Sequence, residues 1–281
     1  MLSEGGVAPG FAGVLGWPLK STLSPAIHNA AFSEAGLPWL YFAWPVPPAA
    51  LALAVGGLRA LQAVGANVTM PHKETVLGLI DEASTEARAV GAVNTITRDG
   101  GRLIGDNTDV GGFREFLAAD AGYDAAGASA VVLGSGGAAR AVVKALDDLG
   151  CHSVVITARR PQAGASVAGV ARRVSTSVEP WSAAGALVPA ADLVINATSV
   201  GVDGRDPIPG AALRSGQVVI DLNYGPAVTP LVERALAAGC SAWGGVGMLV
   251  HQAAGSFRNW SGRPAPLAIM REAAEDALAG R

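Results

Sequence analysis

Residues 130–142 read AVVLGSGGAARAV. An apolar, mostly β-branched run enters a turn with three glycines in four positions and leaves it as a helix of small residues. That order predicts a buried strand over 130–133 and a helix over 137–149. The turn fits G-x-G-x-x-A, with Gly134, Gly136 and Ala139 at the fixed places. Gly134 permits a tight turn, Gly136 lets a backbone approach a pyrophosphate, and Ala139 lets the helix pack close to the strand. The free N–H groups of the helix start then face an anion. Glycine turns also end strands with no ligand at all, but the strand before and the helix after supply the context that a dinucleotide loop requires.

The same alternation runs along the whole chain. Strands are expected over residues 11–16, 41–46, 63–68, 92–97, 153–157, 193–196 and 218–222. Helices are expected over 23–36, 48–61, 72–79, 230–238, 248–259 and 268–278. Short β-rich runs between Ala/Leu-rich helices predict an α/β fold with parallel sheets. A chain of 281 residues suits two domains. The turn-rich GDNTDVGGF at 105–113 and the glycines at 244–247 mark the boundaries. One domain then spans 1–112 plus 245–281 and the other 113–244, the C-terminal helices returning to the first domain.

Only 15% of residues are charged and the net charge is −3, with no long basic run, so nucleic acid is not an expected partner. Cys151 and Cys240 match no zinc or redox spacing, and the four histidines form no local ligand cluster, so no metal site is expected. No apolar run reaches membrane-spanning length. The N-terminal residues lack a basic, then apolar, signal pattern. A cytoplasmic location and a small-molecule substrate are the expectations.

Residues 67–76, NVTMPHKETV, place Lys73 where the predicted helix 72–79 begins, although the first turn of a helix prefers anions. A solvated lysine is the plain reading. Six further segments occur in order around it: GWPLKSTLSPAIHNAAF (16–32), GAVNTI (91–96), GDNTDVGGF, GSGGAAR, NATSVG (196–201) and GMLVHQA (247–253). Together they resemble the shikimate dehydrogenase family over nearly the whole chain. The resemblance implies an N-terminal α/β substrate domain, a Rossmann-like dinucleotide-binding domain and an active site between them. It also implies reversible reduction of 3-dehydroshikimate to shikimate with NADPH, by a monomer or homodimer.

The resemblance assigns Lys73 and Asp109 as the catalytic pair. A lysine ammonium can give a carbonyl oxygen its proton, and the neutral amine can take it back, with Asp109 orienting it. Asp109 taken alone reads as a turn residue. Thr22 and Ser24 are the implied donors to a substrate carboxylate. Ser24 before Pro25 also reads as a helix N-cap followed by proline. The family commonly has His-Ser-x-Ser, where this chain has Ser-Thr-Leu-Ser. Thr69, Asn94, Gln252 and Tyr224 match substrate-contacting positions, and Asn and Gln offer both a donor and an acceptor to a hydroxyl. Asn67, at a strand end, reads as turn structure.

Implied cofactor contacts are Gly134, Ser135, Gly136, Gly137, Ala138, Arg159, Arg160, Thr198, Gly245 and Met248. Met248 reads equally as a core methionine, and His28 and His251 as packed or surface histidines. An NAD site of this kind carries an acidic residue at the end of the second strand. Here that strand ends in Ala158-Arg159-Arg160, and no Asp or Glu lies between Asp148 and Glu179. A guanidinium can clamp a 2′-phosphate, so NADP is expected. The family's pattern is Asn-Arg-Ser/Thr with a later basic residue. Arg159 keeps the arginine, while Ala158, Arg160 and Ala163 depart from the pattern.

Three alternatives remain open. An NAD-dependent quinate/shikimate dehydrogenase has the same fold. A binding-only homologue is disfavoured by the Lys73/Asp109 pair. A methylene-tetrahydrofolate-type dehydrogenase is disfavoured by GDNTD and STLSP.

Overall fold

A computed structural model describes residues 7–19, 22–225 and 228–280. The chain forms two compact units. One comprises residues up to Thr108 together with Val250 onward, and the other runs from Asp109 to Leu249.

The first unit contains β1 (Gly10–Gly16), α1 (Ser24–Glu34), β2 (Trp39–Pro45), α2 (Leu51–Ala60), β3 (Gly65–Val68), β4 (Glu82–Ala83), α3 (Thr85–Val90), β5 (Thr95–Asp99) and β6 (Arg102–Asp106). Helix α4 (Thr108–Ala119) leads out of it. Its sheet has the order β2-β1-β3-β5-β6-β4. Strands β1, β2 and β3 are parallel, whereas β5 runs antiparallel to both β3 and β6. The first sheet is therefore mixed, parallel at β2, β1 and β3 and antiparallel around β5. The cause is local: Asp99 pairs with Arg102, and the two residues between them, Gly100 and Gly101, have φ of 54° and 93°. Two positive-φ glycines make the tight turn that joins antiparallel strands.

Strand β3 is buried along its whole length, with both faces covered. Ala66 and Val68 join Leu15, Leu58, Ile96 and Leu103 in one apolar core. Gly65 and Asn67 point the other way. A Cβ at Gly65 would lie 2.2 Å from the indole nitrogen of Trp260, so only glycine lets that helix lie so close. Asn67 is therefore a polar group inside the molecule, not the turn residue expected.

The second unit contains β7 (Ser129–Leu133), α5 (Gly137–Asp148), β8 (Ser153–Ala158), α6 (Pro161–Ala168), β9 (Ser175–Pro180), α7 (Ala184–Leu187), β10 (Leu193–Asn196), β11 (Val218–Asp221), α8 (Pro230–Ala237) and β12 (Ser241–Trp243). Its six strands are all parallel, in the order β12-β11-β10-β7-β8-β9. Strand order reverses between β7 and β10, and such a switch point opens a ligand crevice at the strands' C-terminal ends.

Helix α9 (Val246–Ser261) crosses back into the first unit, and α10 (Leu267–Ala279) packs on α1. The glycine stretch 244–247 is divided between two roles. Gly245 lies against β11's exit, where a Cβ would meet the Leu222 carbonyl oxygen. Gly247 is already helical and packs on Phe116.

The helix expected over 72–79 is absent. Only a 3-10 turn forms, over Thr75–Gly78. An α-helix would give the Lys73 carbonyl to the N–H of residue 77. Instead that carbonyl accepts from Val93 N at 2.7 Å, and Leu77 N turns to Glu74 O. Lys73 thus faces no helix macrodipole. Among the described residues no helix is long and apolar enough to cross a membrane.

Candidate active site

In the first unit the segment Val93–Asn94 organises the polar residues. Val93 N holds the Lys73 carbonyl, and Asn94 N donates to Asp106 O at 3.0 Å. The Thr108 N–H, at the start of α4, donates to Asn94 Oδ1 at 2.7 Å. Asp109 follows in the first turn of that helix and is buried. A carboxylate is favoured there by the unpaired N–H groups and the dipole. The backbone at Lys73 and at Thr108 is therefore tied to one dipeptide, Val93–Asn94. Lys73 itself is half-buried.

Asn94 and Gln252 are brought together, with Asn94 Nδ2 donating to Gln252 Oε1 at 3.4 Å. Thr69, at the end of β3, donates its N–H to Leu15 O at 2.9 Å. Thr22 and Ser24 also meet. Thr22 Oγ1 donates to Ser24 Oγ at 3.1 Å and accepts from Ser24 N at 3.2 Å. Ser24 is not the N-cap expected: Leu23 occupies that position and no side chain caps the helix. Ser24 has already entered the helix, so its N–H turns to Thr22 and its own hydroxyl is left to other partners.

Several polar residues that local sequence gives no reason to single out complete this region. Asn67 accepts from Tyr41 Oη at 2.7 Å and donates to Ser256 Oγ at 2.8 Å. Thr95 and Thr108 join the same buried group. Behind it lies His28, fully buried and stacked on Tyr41 with centroids 4.4 Å apart. Burial lowers its pKa to about 3, the nearby Asn67 side chain offsetting part of that, although neither ring nitrogen reaches a partner in hydrogen-bond geometry. Burial likewise pushes the Tyr41 phenol well up, against the Ser24 hydroxyl, so it stays a neutral donor. The one available signal was that Asn67 shares a strand face with Gly65.

In the second unit the glycine loop has the geometry its sequence predicts. Gly134 has φ 113°, and a Cβ there would press on Thr198 Cγ2 at 2.8 Å. Gly136 precedes α5 and has open space where a Cβ would stand. Ala139 is fully buried beneath the helix. Ser135, Gly137 and Ala138 are half-buried in the same turn. Thr198 Oγ1 donates to Asn196 Oδ1 at 2.7 Å and accepts from Val200 N, which fixes the loop after β10.

Asn196 and Asn223 both donate to the buried Asp221 carboxylate, whose pKa is raised because burial outweighs those bonds. This anchors the segment that carries Tyr224, itself half-buried. Met248 is buried in α9. Arg159 and Arg160 are exposed at the end of β8, and Arg160 stands at the N-cap of α6. Ala158 is buried beneath that helix, where a Cβ on Gly164 would lie 3.2 Å from its own.

A donor-lined turn at a helix start, with no Cβ to block approach and two arginines after β8, fits a dinucleotide that bears an extra phosphate.

Comparison with known proteins agrees across both units. Residues 14–96 match the profile of the shikimate dehydrogenase substrate binding domain. Residues 117–203 match that of shikimate / quinate 5-dehydrogenase, and 245–275 that of the shikimate 5′-dehydrogenase C-terminal domain. The shikimate dehydrogenase (NADP(+)) of Salinibacter ruber is 46% identical over 270 residues, which is 92% of this chain and 95% of that protein. The Thermus thermophilus shikimate 5-dehydrogenase, solved with NADP(H) and shikimate, superposes with a TM-score of 0.86 at 37% identity. The match covers 96% of this chain and all of that one. The quinate dehydrogenase of Corynebacterium glutamicum, solved with NAD, also gives 0.86, at 30% identity, over 95% and 99% of the two chains. On these grounds the chain belongs to the shikimate dehydrogenase family.

Proposed function

We propose that this protein interconverts 3-dehydroshikimate and shikimate with NADP, as a cytoplasmic enzyme that works as a monomer or homodimer. In this reading residues 1–112 and 245–281 form the substrate domain and 113–244 the cofactor domain. The observation that carries it is the tethering of Lys73, Thr108 and Gln252 to the buried dipeptide Val93–Asn94, within a chain that matches the family in both units. Thr22 and Ser24 hold the substrate carboxylate, and Thr69, Asn94, Gln252 and Tyr224 the ring oxygens. In the oxidative direction the Lys73 amine takes the hydroxyl proton as hydride leaves the same carbon. In reduction the ammonium returns that proton to the carbonyl oxygen. Asp109 orients the ammonium and the hydroxyl.

Bound NADP supplies or accepts the hydride. Gly134, Ser135, Gly136, Gly137 and Ala138 would receive its pyrophosphate, with Thr198, Gly245 and Met248 towards the nicotinamide and Arg159 and Arg160 on the 2′-phosphate. One observation favours the NAD-dependent quinate/shikimate reading: Arg160 and Ala163 leave Arg159 as the one basic residue that matches the family's pattern there. A spectrophotometric assay of shikimate and quinate, each with NADP+ and NAD+, separates the two. Turnover of shikimate with NADP+ well above the other three combinations is expected. Preference for quinate with NAD+ overturns the proposal.

A further inference from the structure

A carboxamide has two ends of nearly equal shape but opposite hydrogen-bonding character. Its orientation is settled where one end meets a group that can only donate or only accept. Asn94 meets such a group in the Thr108 backbone N–H, 2.7 Å from Oδ1. Its Nδ2 therefore lies on the other side, towards Thr108 Oγ1 at 2.9 Å and Gln252 Oε1 at 3.4 Å. Because Nδ2 can only donate, Gln252 must receive it on its oxygen, and the Gln252 Nε2 end faces away from Asn94.

Asn67 is settled in the same manner. Its Nδ2 lies 3.2 Å from the Asn94 backbone oxygen, which can only accept, and its Oδ1 takes the Tyr41 phenol proton. Between the two amides stands Thr95. Its Oγ1 accepts from Asn67 Nδ2 at 3.2 Å and donates to Asn94 Oδ1 at 3.0 Å. Ser256 Oγ accepts from Asn67 Nδ2 at 2.8 Å and, because Thr95 already donates to Asn94, gives its own proton to Thr95 Oγ1 at 2.8 Å, so it supports the pair from α9. The donation runs one way, from Tyr41 through Asn67, Thr95 and Asn94 to Gln252. Reversing any member would set two buried donors, or two buried acceptors, face to face.

We infer that Thr95, with Thr108, Ser256 and Asn67, positions the carboxamides of Asn94 and Gln252 in a fixed polarity, so that Gln252 meets the substrate as a hydrogen-bond donor. This rests on the reading of Asn94 and Gln252 as substrate contacts. The site then selects a ring oxygen that presents a lone pair and refuses an ammonium at the same position. None of the four positioning residues takes part in proton or hydride transfer.

Two isosteric changes at one position test this. Thr95→Val keeps the shape and removes the hydroxyl, and Thr95→Ser keeps the hydroxyl and removes a methyl. Both enzymes are assayed with shikimate and NADP+. The side-chain 15N–1H signals of Asn94 and Gln252 are followed as well, assigned by their loss in Asn94→Asp and Gln252→Glu. Thr95→Val is expected to raise KM for shikimate roughly tenfold, the scale of one buried hydrogen bond, with KM for NADP+ within about twofold of wild type. The exchange of its Asn94 carboxamide protons quickens, while Thr95→Ser retains wild-type behaviour.

Wild-type KM and exchange in Thr95→Val, or equal damage in Thr95→Ser, overturns the inference. Should Thr95→Val not fold, Ser256→Ala carries the same expectation on a helix that tolerates alanine, and unchanged KM and exchange there overturn it equally. A wild type whose Asn94 signal is protected but which leaves shikimate unoxidised would sink the functional reading and leave the relay standing.

Discussion

Replacing Lys73 by Met keeps much of the side chain's length and apolar stem and removes the only atom that can carry a proton. Its backbone carbonyl remains bonded to Val93, so the fold should survive. We expect kcat to fall by roughly a hundredfold or more with KM little changed, as for loss of a general acid–base group. Near-wild-type turnover would make it a surface cation. Ser24→Ala and Thr22→Val should each raise KM for shikimate roughly tenfold, since each removes a hydrogen bond to a charged group. Because Ser24 caps nothing, Ser24→Ala should leave the melting temperature nearly unchanged. A marked loss of stability without a change in KM would assign it to structure alone. Buried His28 makes a separate prediction. Its pKa is about 3 in the fold, against an ordinary 6.5 in the unfolded chain. Below pH 6.5 the unfolded state gains a proton that the folded state refuses, so stability falls by about 1.4 kcal/mol per pH unit until about pH 3. Denaturant titrations at pH 7 and pH 5 should therefore show His28→Phe losing less stability on acidification than the wild type. Equal losses would show that residue 28 is protonated in the fold.

At the level of elements, legibility followed how local the causes are. Strand β7, the glycine turn and α5 were readable because their signals lie within a dozen residues, and Gly134, Gly136 and Ala139 occupy the places their spacing implies. The 72–79 helix was misread because a distant N–H, that of Val93, takes the Lys73 carbonyl. The paired glycines Gly100-Gly101 are a hairpin signal in the sequence, and they join β5 to β6, a strand absent from the expected set. Asn67 could not be recognised from a four-residue strand, since its partners Tyr41, Thr95 and Ser256 lie far along the chain. Strand β8 and helix α6 carry the cofactor prediction. Arg159 is exposed at their junction, with Ala158 packed beneath. Arg159→Ala should raise KM for NADP+ tenfold or more, roughly the worth of a charge-assisted bond, and leave KM for NAD+ little changed. Equal loss with both cofactors would remove Arg159 from the 2′-phosphate.

On the scale of the molecule, the two units differ in how the chain builds them. The second is one continuous segment, Asp109–Leu249, with a six-stranded parallel sheet and its own core around Leu133, Val194, Val219 and Leu231. The first is discontinuous and needs Val250 onward. That segment brings Phe257 and Trp260, which pack with Phe32, His28 and Tyr41, and Ser256, which satisfies Asn67. A chain ended at residue 249 would expose these aromatic faces and leave a buried amide short of a partner. Burying one large aromatic side chain contributes about 1.5–3 kcal/mol, so losing two rings removes a large share of a domain's marginal stability. We therefore expect a 109–249 fragment to unfold cooperatively on its own. A 1–249 fragment should keep that transition but lose the near-ultraviolet dichroism of the aromatic cluster and bind a hydrophobic dye. Adding back residues 250–281 as a separate chain should restore the signal in part. A 1–249 fragment with its aromatic dichroism intact would show that the first unit folds without its C-terminal helices.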